Sequence, residues 1–562
     1  MNNQRLLLWM ALFALSYLLW QAWQLDFRPP PSAASISDQP TLKVPEALPA
    51  GAVPAPAVEA LPGAKLEATE ASVSAPAEVI EVETDVLSLR IDLQGGSILS
   101  ADLKRYPVAA GQQQPVVRLL DDQPANWFVA QSGLVAAAGQ APDHRARYRS
   151  AHARYVLGNG EDSLEVPLQW DDGQGLRVTK TLVLKRGEYT LGNRYRIENQ
   201  GASSWRGQAY TQLQRVSPAA ASQGFSLSNP QPASFTGAAW YSPEDKFDKL
   251  AFKDFADEPL DREISGGWAA MLQHYFFAAW IPDAGSKVRY QSAILDAGSA
   301  RPRYLLRQIE PLIEVLPMQE SSIEQRLYLG PKLQETLPGI APGLGLAMDY
   351  GKVRLFAEPL FHYVLNPMHK LAGNWGFAII LTTVLIKLLL FPLASAQYRS
   401  MAKMRAVQPR MEAIKQRYGD DRQKLNQAML ELYQKEKINP AGGCLPIIPQ
   451  MFMFIALYWV LIESVELRHA PFIGWLTNLS AHDPYFVLPV LNALTMWITQ
   501  KMAPAPAGMD PIQQKMLQYM PLAFSVIMVF FPAGLVLYWT VNGSLGILQQ
   551  WWITRQMPVK KE

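Results

Sequence analysis

Cysteine is almost missing from this chain: Cys444 stands alone among 562 residues. That excludes an intrachain disulfide and removes disulfide usage as a guide to compartment. Net charge is nearly missing too, at +2, and without a large single-sign field nothing marks a nucleic-acid binder. The seven histidines are scattered without metal-ligand spacing. No Walker or dinucleotide glycine pattern occurs, and the S-x-x-K match at Ser400–Lys403 sits in a basic loop with no supporting constellation. No enzyme is expected, and no cofactor or metal. Charged residues are also scarce, 18% against 49% hydrophobic, which is unusual for a soluble protein of this size. The shortage is uneven: residues 28–350 are polar, whereas 373–552 contain several nearly uncharged stretches of roughly membrane-spanning length.

The N-terminus has one arginine, Arg5, before an uncharged run from Leu6 to Leu25. The run is long enough to cross a bilayer, and the bulky residues after it offer no small-x-small cleavage site, so an uncleaved anchor over 1–27 is expected. Residues 28–78 read as a disordered tether, since 29–76 hold ten prolines, twelve alanines and no aromatic residue. From Val79 to about Leu337 the pattern has period two. Leu164, Val166, Leu168 and Trp170 fall on one face, and Gly/Asp turns separate many short strands, which predicts a large β-sandwich over 79–337. Asp121, Asp122, Asp171 and Asp172 lie in turn-like runs and read as solvated turns, not as a catalytic pair.

Residues 338–372 read as a linker and an interfacial helix. Arg354, Glu358, His362, Asn366 and Lys370 recur at i+4 opposite Phe356, Leu360, Val364 and Met368, with breaks possible at Pro359 or Pro367. Five spans are expected within a core at 373–552: Asn374–Ser395, Gly443–Ile462, Tyr485–Thr499, Met516–Phe531 and Ala533–Trp552. With the anchor this makes six transmembrane helices. The loop 396–441 carries ten Lys/Arg, 500–515 two and the tail after Trp552 three, against Arg468 alone in 465–484. The positive-inside rule then puts both termini, including the basic tail 553–562, in the cytoplasm. The β-domain lies outside, in the periplasm of a bacterial inner membrane.

The cytoplasmic loop has heptad spacing on both sides of a turn: Met404, Val407, Met411, Ile414 and Tyr418, then Leu425, Met429 and Leu432. An antiparallel helical hairpin follows. Its outer basic residues, Arg399, Lys403, Arg405, Arg410, Lys415 and Arg417, suit nucleic acid, lipid headgroups, or ribosomes and nascent chains, and equally a face that only fixes topology.

Within the first core span, "TTVLIKLLLFP" (382–392) holds one lysine, Lys387. An intramembrane charge costs about 2.5–3.5 kcal/mol on insertion scales and normally faces a polar interior, unless the side chain snorkels out. Read as a continuous span, the segment puts the Lys387 Cα on the order of 12 Å below the cytoplasmic surface. Thr383 is one turn away; Gln450, Asn492, Tyr538, Thr540 and Asn542 are polar groups on other spans, and Glu463 is near an outer end. An unpaired cation in a polar concavity suits transient attraction of an anionic, hydrated segment. Two other readings stay open on the residues alone: a secondary transporter, which lacks support from internal repeats, and a membrane-tethered periplasmic carbohydrate-binding protein.

The stretches "GGWAAMLQHYFFAAWIP" (266–282), "LYLGPK" (327–332), "GNWGFAIILTTVLIKLLLFPLASAQYRSMAKM" (373–404), "INPAGGCLPIIPQ" (438–450), "DPYFVLPVL" (483–491) and "FPAGLVLYWTVN" (531–542) resemble the YidC/Oxa/Alb family of membrane protein insertases, in its Gram-negative form. The resemblance runs along nearly the whole chain except the linker. It implies an insertase and chaperone for inner-membrane proteins, working alone or beside the SecYEG translocon. It further implies a periplasmic β-supersandwich and a hydrophilic groove open to cytoplasm and lipid but closed outward. By the resemblance the groove's cation is Lys387, where many relatives have arginine, and Thr383, Gln450, Tyr538 and Trp539 line the groove or touch the client. Implied partners are nascent membrane proteins, SecYEG, the ribosome and the lipid bilayer, with no small-molecule substrate. Lysine keeps the charge but lacks the planar fork of arginine.

Overall fold

The computed structural model describes residues 79–218, 235–418, 421–436, 447–502, 516, 519–520 and 523–556. The expected anchor, the tether, Cys444 and residues 517–518 and 521–522 of the Met516–Phe531 span lie outside them.

Two sheets face each other. One has eleven strands, in the order Asp261–Ser265, Lys287–Leu295, Arg303–Ile309, Trp205–Val216, Phe128–Ala136, Ser97–Pro107, Leu87–Asp92, Val79–Glu83 and Arg154–Val156. Ile313–Val315 pairs with Trp205–Val216 and Val116–Leu120 with Ser97–Pro107, off this path. The other has eight: Lys246–Ala251, Gly237–Ser242, Trp268–Leu272, Phe276–Pro282, Gln319–Pro331, Thr190–Asn199, Leu176–Lys185 and Ser163–Asp171. Alternation explains the pairing of faces. Leu176, Val178, Leu182 and Leu184 are buried at every second position, so one face of this strand packs inward. Val166 and Leu168 are buried as expected, with Leu164 and Trp170 partly so. Trp268, fully buried, stacks on Tyr241 at 6.0 Å between centroids. Asp172 accepts hydrogen bonds from the backbone of Gln174 and Leu176, a turn role in keeping with the sequence reading.

One inward position carries charge. Lys180, 1% exposed, donates to the carbonyls of Gly96 (2.8 Å) and Gly95 (3.1 Å). Burial lowers its pKa to about 7.

The helical part begins with α1 (Arg354–Leu360) and α2 (Asn366–Ala372), joined by a π-helical turn at Phe361–Leu365. The expected helix therefore runs on from α1 to α2, but changes to a π-helical turn between the two prolines at which breaks were expected. Pro359 stands inside α1 and Pro367 at the start of α2; a proline supplies no N–H and crowds the carbonyl four residues back, so the turn between them widens. The polar stripe is used inside the chain: Arg354 pairs with Glu358 at 2.8 Å, while Asn366 and Lys370 both reach Glu335 at 2.6 Å. Leu360, Phe361 and Leu365 pack into the helical core, and Leu355, Tyr363 and Leu371 stay exposed.

Next come α3 (Trp375–Leu389), α4 (Phe391–Ala406), α5 (Gln408–Tyr418), α6 (Arg422–Lys435), α7 (Ile447–Glu463), α8 (Val487–Met502) and α9 (Ala533–Arg555). The expected span Asn374–Ser395 is not straight: α3 and α4 meet at a 66° bend. Pro392, in the first turn of α4, withdraws an N–H and ends α3 at the preceding turn. Among the described residues no single helix is long and apolar enough to cross a membrane by itself, whereas the bent α3–α4 pair meets that criterion together. The hairpin is α5 against α6, with Val407, Met411, Met429 and Leu432 in its seam. The helix before it breaks at Val407, so Met404 and Val407 do not continue into one long heptad helix.

The β-rich part is bonded to the C-terminal end of α7 and the residues just after it. Gln334 donates its backbone N–H to Glu466 (2.9 Å) and its amide to Ser464 (2.9 Å), and accepts from Tyr350 (2.6 Å). His274 meets the carbonyl of Ile462 at 3.1 Å, and Arg468 donates to the carbonyl of Pro107 at 2.9 Å.

Candidate functional site: a polar seam in the helical core

Asn374 starts α3 by accepting the backbone N–H of Gly376 (2.8 Å) and Phe377 (3.3 Å), satisfying donors the helix leaves open. From there α3 is apolar down to Thr382, Thr383 and Lys387. The bend at Leu390 changes the setting of the lysine. Lys387 is in the last turn of α3, not eight residues above its end, and a cation there is favoured by the negative end of the helix dipole.

Its ammonium lies against α9. A Cβ built on Gly546 would stand 3.6 Å from Lys387 Nζ and 3.4 Å from Tyr398 Oη. One and a half turns from the start of α3, Ile379 meets Gly534 of the same helix at 3.3 Å from the corresponding Cβ position. Eight residues of α3 thus correspond to twelve of α9, so the lysine side chain reaches about one turn beyond its own Cα toward the C-terminal ends. It is half-buried, and has no ion-pair partner among the described residues.

Thr383, 1% exposed, donates to the carbonyl of Ile379 at 2.7 Å, so its hydroxyl proton is committed within α3. Gln450 stands in the first turn of α7, half-buried, one turn before Phe454. Phe454 is the contact between α7 and α9: it stacks on Tyr538 at 6.5 Å and meets Trp539 edge-on at 4.3 Å. Tyr538 is buried and Trp539 partly exposed. The structure therefore groups Tyr538 and Trp539 around Phe454, with Gln450 one turn earlier on α7, and groups Lys387 with Gly546. Tyr538 and Gly546 are eight residues apart on α9, about 12 Å, so the two groups lie along one helix without touching.

A third polar group lies between α8 and α9, which run parallel. Thr540 donates to Val536 (2.8 Å) and Leu488 (3.4 Å), Gln550 donates to the carbonyl of Met502 (3.0 Å), and a Cβ on Gly543 would stand 2.8 Å from Thr495 Oγ1. Asn492 sits between Leu488 and Thr495 on that face, fully buried, with neither amide atom bonded among the described residues.

Of the basic residues expected on the hairpin, Arg410, Lys415 and Arg417 lie on α5, whereas Arg399, Lys403 and Arg405 lie on α4 before it; all six are exposed. Arg405 donates to the carbonyl of Lys501 (3.1 Å) and so braces α4 against α8, while Arg410 pairs with Glu436 (2.7 Å) and so ties α5 to the end of α6. The sequence reading missed Gly546, Tyr398 and Phe454. Glycines inside a helix cost about 1 kcal/mol relative to alanine, and Gly543 and Gly546 within α9 were the signal available. No described cluster of His, Cys, Asp or Glu could hold a metal.

A family model described as "YidC periplasmic domain" matches residues 79–363, and one described as "60Kd inner membrane protein" matches 367–561. A curated protein from Methylococcus capsulatus, "Membrane protein insertase YidC", is 44% identical over 557 residues, 99% of each chain. Its namesake from Nitrosococcus oceani is 42% identical over 565 residues, again 99% of each. A solved structure, "Active YidC insertase crystal structure with the first transmembrane domain resolved", aligns with a TM-score of 0.37 at 17% identity, covering 84% of this chain and 93% of the other.

Proposed function

The chain belongs to the YidC family of membrane protein insertases, and from that premise we propose how this sequence performs insertion. Six transmembrane helices, an anchor in 1–27 and five in 373–552, hold the 79–337 domain in the periplasm and both termini in the cytoplasm. Residues 28–78 tether the anchor to that domain. The α5–α6 hairpin, within 396–441, receives a nascent chain or its ribosome. The client's apolar segment slides along α7 and the span before α9 while its short hydrophilic end enters a groove lined by Thr383, Gln450, Tyr538 and Trp539. There it is drawn to Lys387. Partition of the apolar segment into lipid drives release, with no nucleotide. SecYEG works beside the protein for larger clients.

The observation that carries this reading is the setting of Lys387: a cation at the end of an apolar helix, seated over Gly546, with no carboxylate paired to it among the described residues. Across about 4 Å at an effective dielectric near 20, attraction to one client carboxylate is about 4 kcal/mol before desolvation. That holds a segment briefly without trapping it. The test is insertion of a single-span client with an acidic tail into proteoliposomes by the wild type and by Lys387→Arg, Lys387→Ala and Lys387→Glu. Equal insertion by all four removes the role given to the charge.

A further inference from the structure

The parallel helices α8 and α9 close on the same pattern, a tryptophan followed four residues later by a cation: Trp497 and Lys501 on α8, Trp551 and Arg555 on α9. Residues four apart share a helix face. In both helices the cation lies over the ring, Lys501 Nζ at 3.8 Å and the Arg555 guanidinium at 5.3 Å from the centroid, and both tryptophans are exposed over about half their surface. Gln550 bonds the carbonyl of Met502 at 3.0 Å, which holds the two helix ends side by side. A third cation joins them: Arg405, at the end of α4, reaches the carbonyl of Lys501 at 3.1 Å through one guanidinium nitrogen.

These cations lack an anion. No Asp or Glu occurs in α4, α8 or α9. Among the described residues no carboxylate pairs with Arg405, Lys501 or Arg555, and neither Lys501 nor Arg555 donates a hydrogen bond. The helix dipole favours a cation in these last turns, but it is satisfied anywhere near the final carbonyls. Here two cations are held over indole faces instead, which orients them without neutralising them.

Indole rings belong at the level of lipid headgroups, with the ring toward the acyl chains and the N–H toward water. A cation carried over such a ring stands at phosphate height, and basic residues between helices at a cytoplasmic surface are the chemistry that holds anionic headgroups. The exposed rings separate the sources of phosphate. A free anion needs only the cations, whereas a phospholipid also covers the two indoles.

We propose that the ends of α8 and α9, together with Arg405, are a binding site for anionic phospholipid. Phosphate is held at Lys501 and Arg405 and at Arg555, and the glycerol and first methylenes lie over Trp497 and Trp551. The proposal rests on the reading that this core spans a bilayer with these ends in the cytoplasm, and it assigns them a ligand that insertion does not use.

The test uses the full-length protein in detergent, stripped of lipid. It is melted with phosphatidylglycerol, with phosphatidylethanolamine or with inorganic phosphate, and bound lipid is counted by native mass spectrometry. Phosphatidylglycerol raises the melting temperature and stays bound, and the other two do neither. The phosphatidylglycerol concentration needed rises about fivefold for Lys501→Gln or Arg555→Gln and about 25-fold for both. Lys501→Arg behaves as the wild type, as does Lys253→Gln, which removes an exposed lysine of the β-rich part. If the double variant melts lower than the wild type before any lipid is added, the count of bound phosphatidylglycerol decides. An unchanged count in the double variant overturns the proposal, as does an equal melting shift from phosphatidylethanolamine or from phosphate alone. No client is present in the assay, so this proposal and the insertion reading fail separately.

Discussion

The ammonium of Lys387 occupies the room that Gly546 leaves on the neighbouring helix. A methyl at 546 would make ordinary contact, at 3.6 Å from Nζ, whereas a longer side chain would displace the charge. Gly546→Ala is therefore expected to insert clients nearly as the wild type does, and Gly546→Leu to lose acidic-tailed clients selectively. Parallel assays with an acidic and a neutral tail check this; equal losses for both would mean the leucine merely disrupts packing.

Substitution of the lysine itself is expected to grade by charge. Lys387→Arg keeps most insertion, Lys387→Ala lowers it for an acidic tail by about tenfold, corresponding to about 1.4 kcal/mol, and Lys387→Glu lowers it further. Raising salt should narrow the differences little, because a half-buried charge is weakly screened.

The bond from Gln334 to Glu466 makes the joint between the sheets and the helices sensitive to pH. Burial raises the Glu466 carboxyl from 4.5 to about 7. The folded protein thus binds this proton more tightly than the unfolded one, so the contribution to stability is complete below about pH 4.5 and is lost as pH rises through 7. Glu466→Gln, neutral throughout, should melt like the wild type near pH 4.5 and above it at pH 8. The gap is worth up to a few kcal/mol, at about 1.36 per unit of displacement. Melting curves across that range decide it, and a gap independent of pH would count against the assignment.

Asn492 is buried with neither amide atom bonded among the described residues. Replacing an unpaired buried amide by an apolar group of similar size removes a penalty of about 1–3 kcal/mol. Asn492→Leu should therefore be neutral or stabilising in thermal melts. A loss of stability would mean the amide has a partner, such as a buried water.

The two-part architecture was legible because it is written in local periodicity. Alternation over Leu176–Lys185 marks a strand wherever it occurs, and the seam of Met411, Met429 and Leu432 follows from heptad spacing. Lys180 was not legible as an interior residue, since its acceptors Gly95 and Gly96 are some 85 residues away in sequence. The bend at Leu390 was missed for another reason. Pro392 was in plain view, but the apolar run continues through it, and hydropathy carries no information on direction. Lys387 stood out by contrast with its neighbours, whereas the part played by Gly546 depends on which helices pack together. The six basic positions were visible, but that three of them fall on α4 and not on the hairpin was not, nor were the bond from Arg405 to Lys501 and the pair Arg410–Glu436.

Glu335 grips Asn366 and Lys370 on one side of α2, while Leu355, Tyr363 and Leu371 point away from the protein. With lipid under those three side chains, the short helical pair becomes a float bolted to the hull. The sheets above it cannot tilt without dragging apolar groups through the headgroups or tearing Glu335 loose. Their height over the bilayer, and hence the clearance left for an emerging client, is then held by this carboxylate together with the bonds of Gln334, His274 and Arg468.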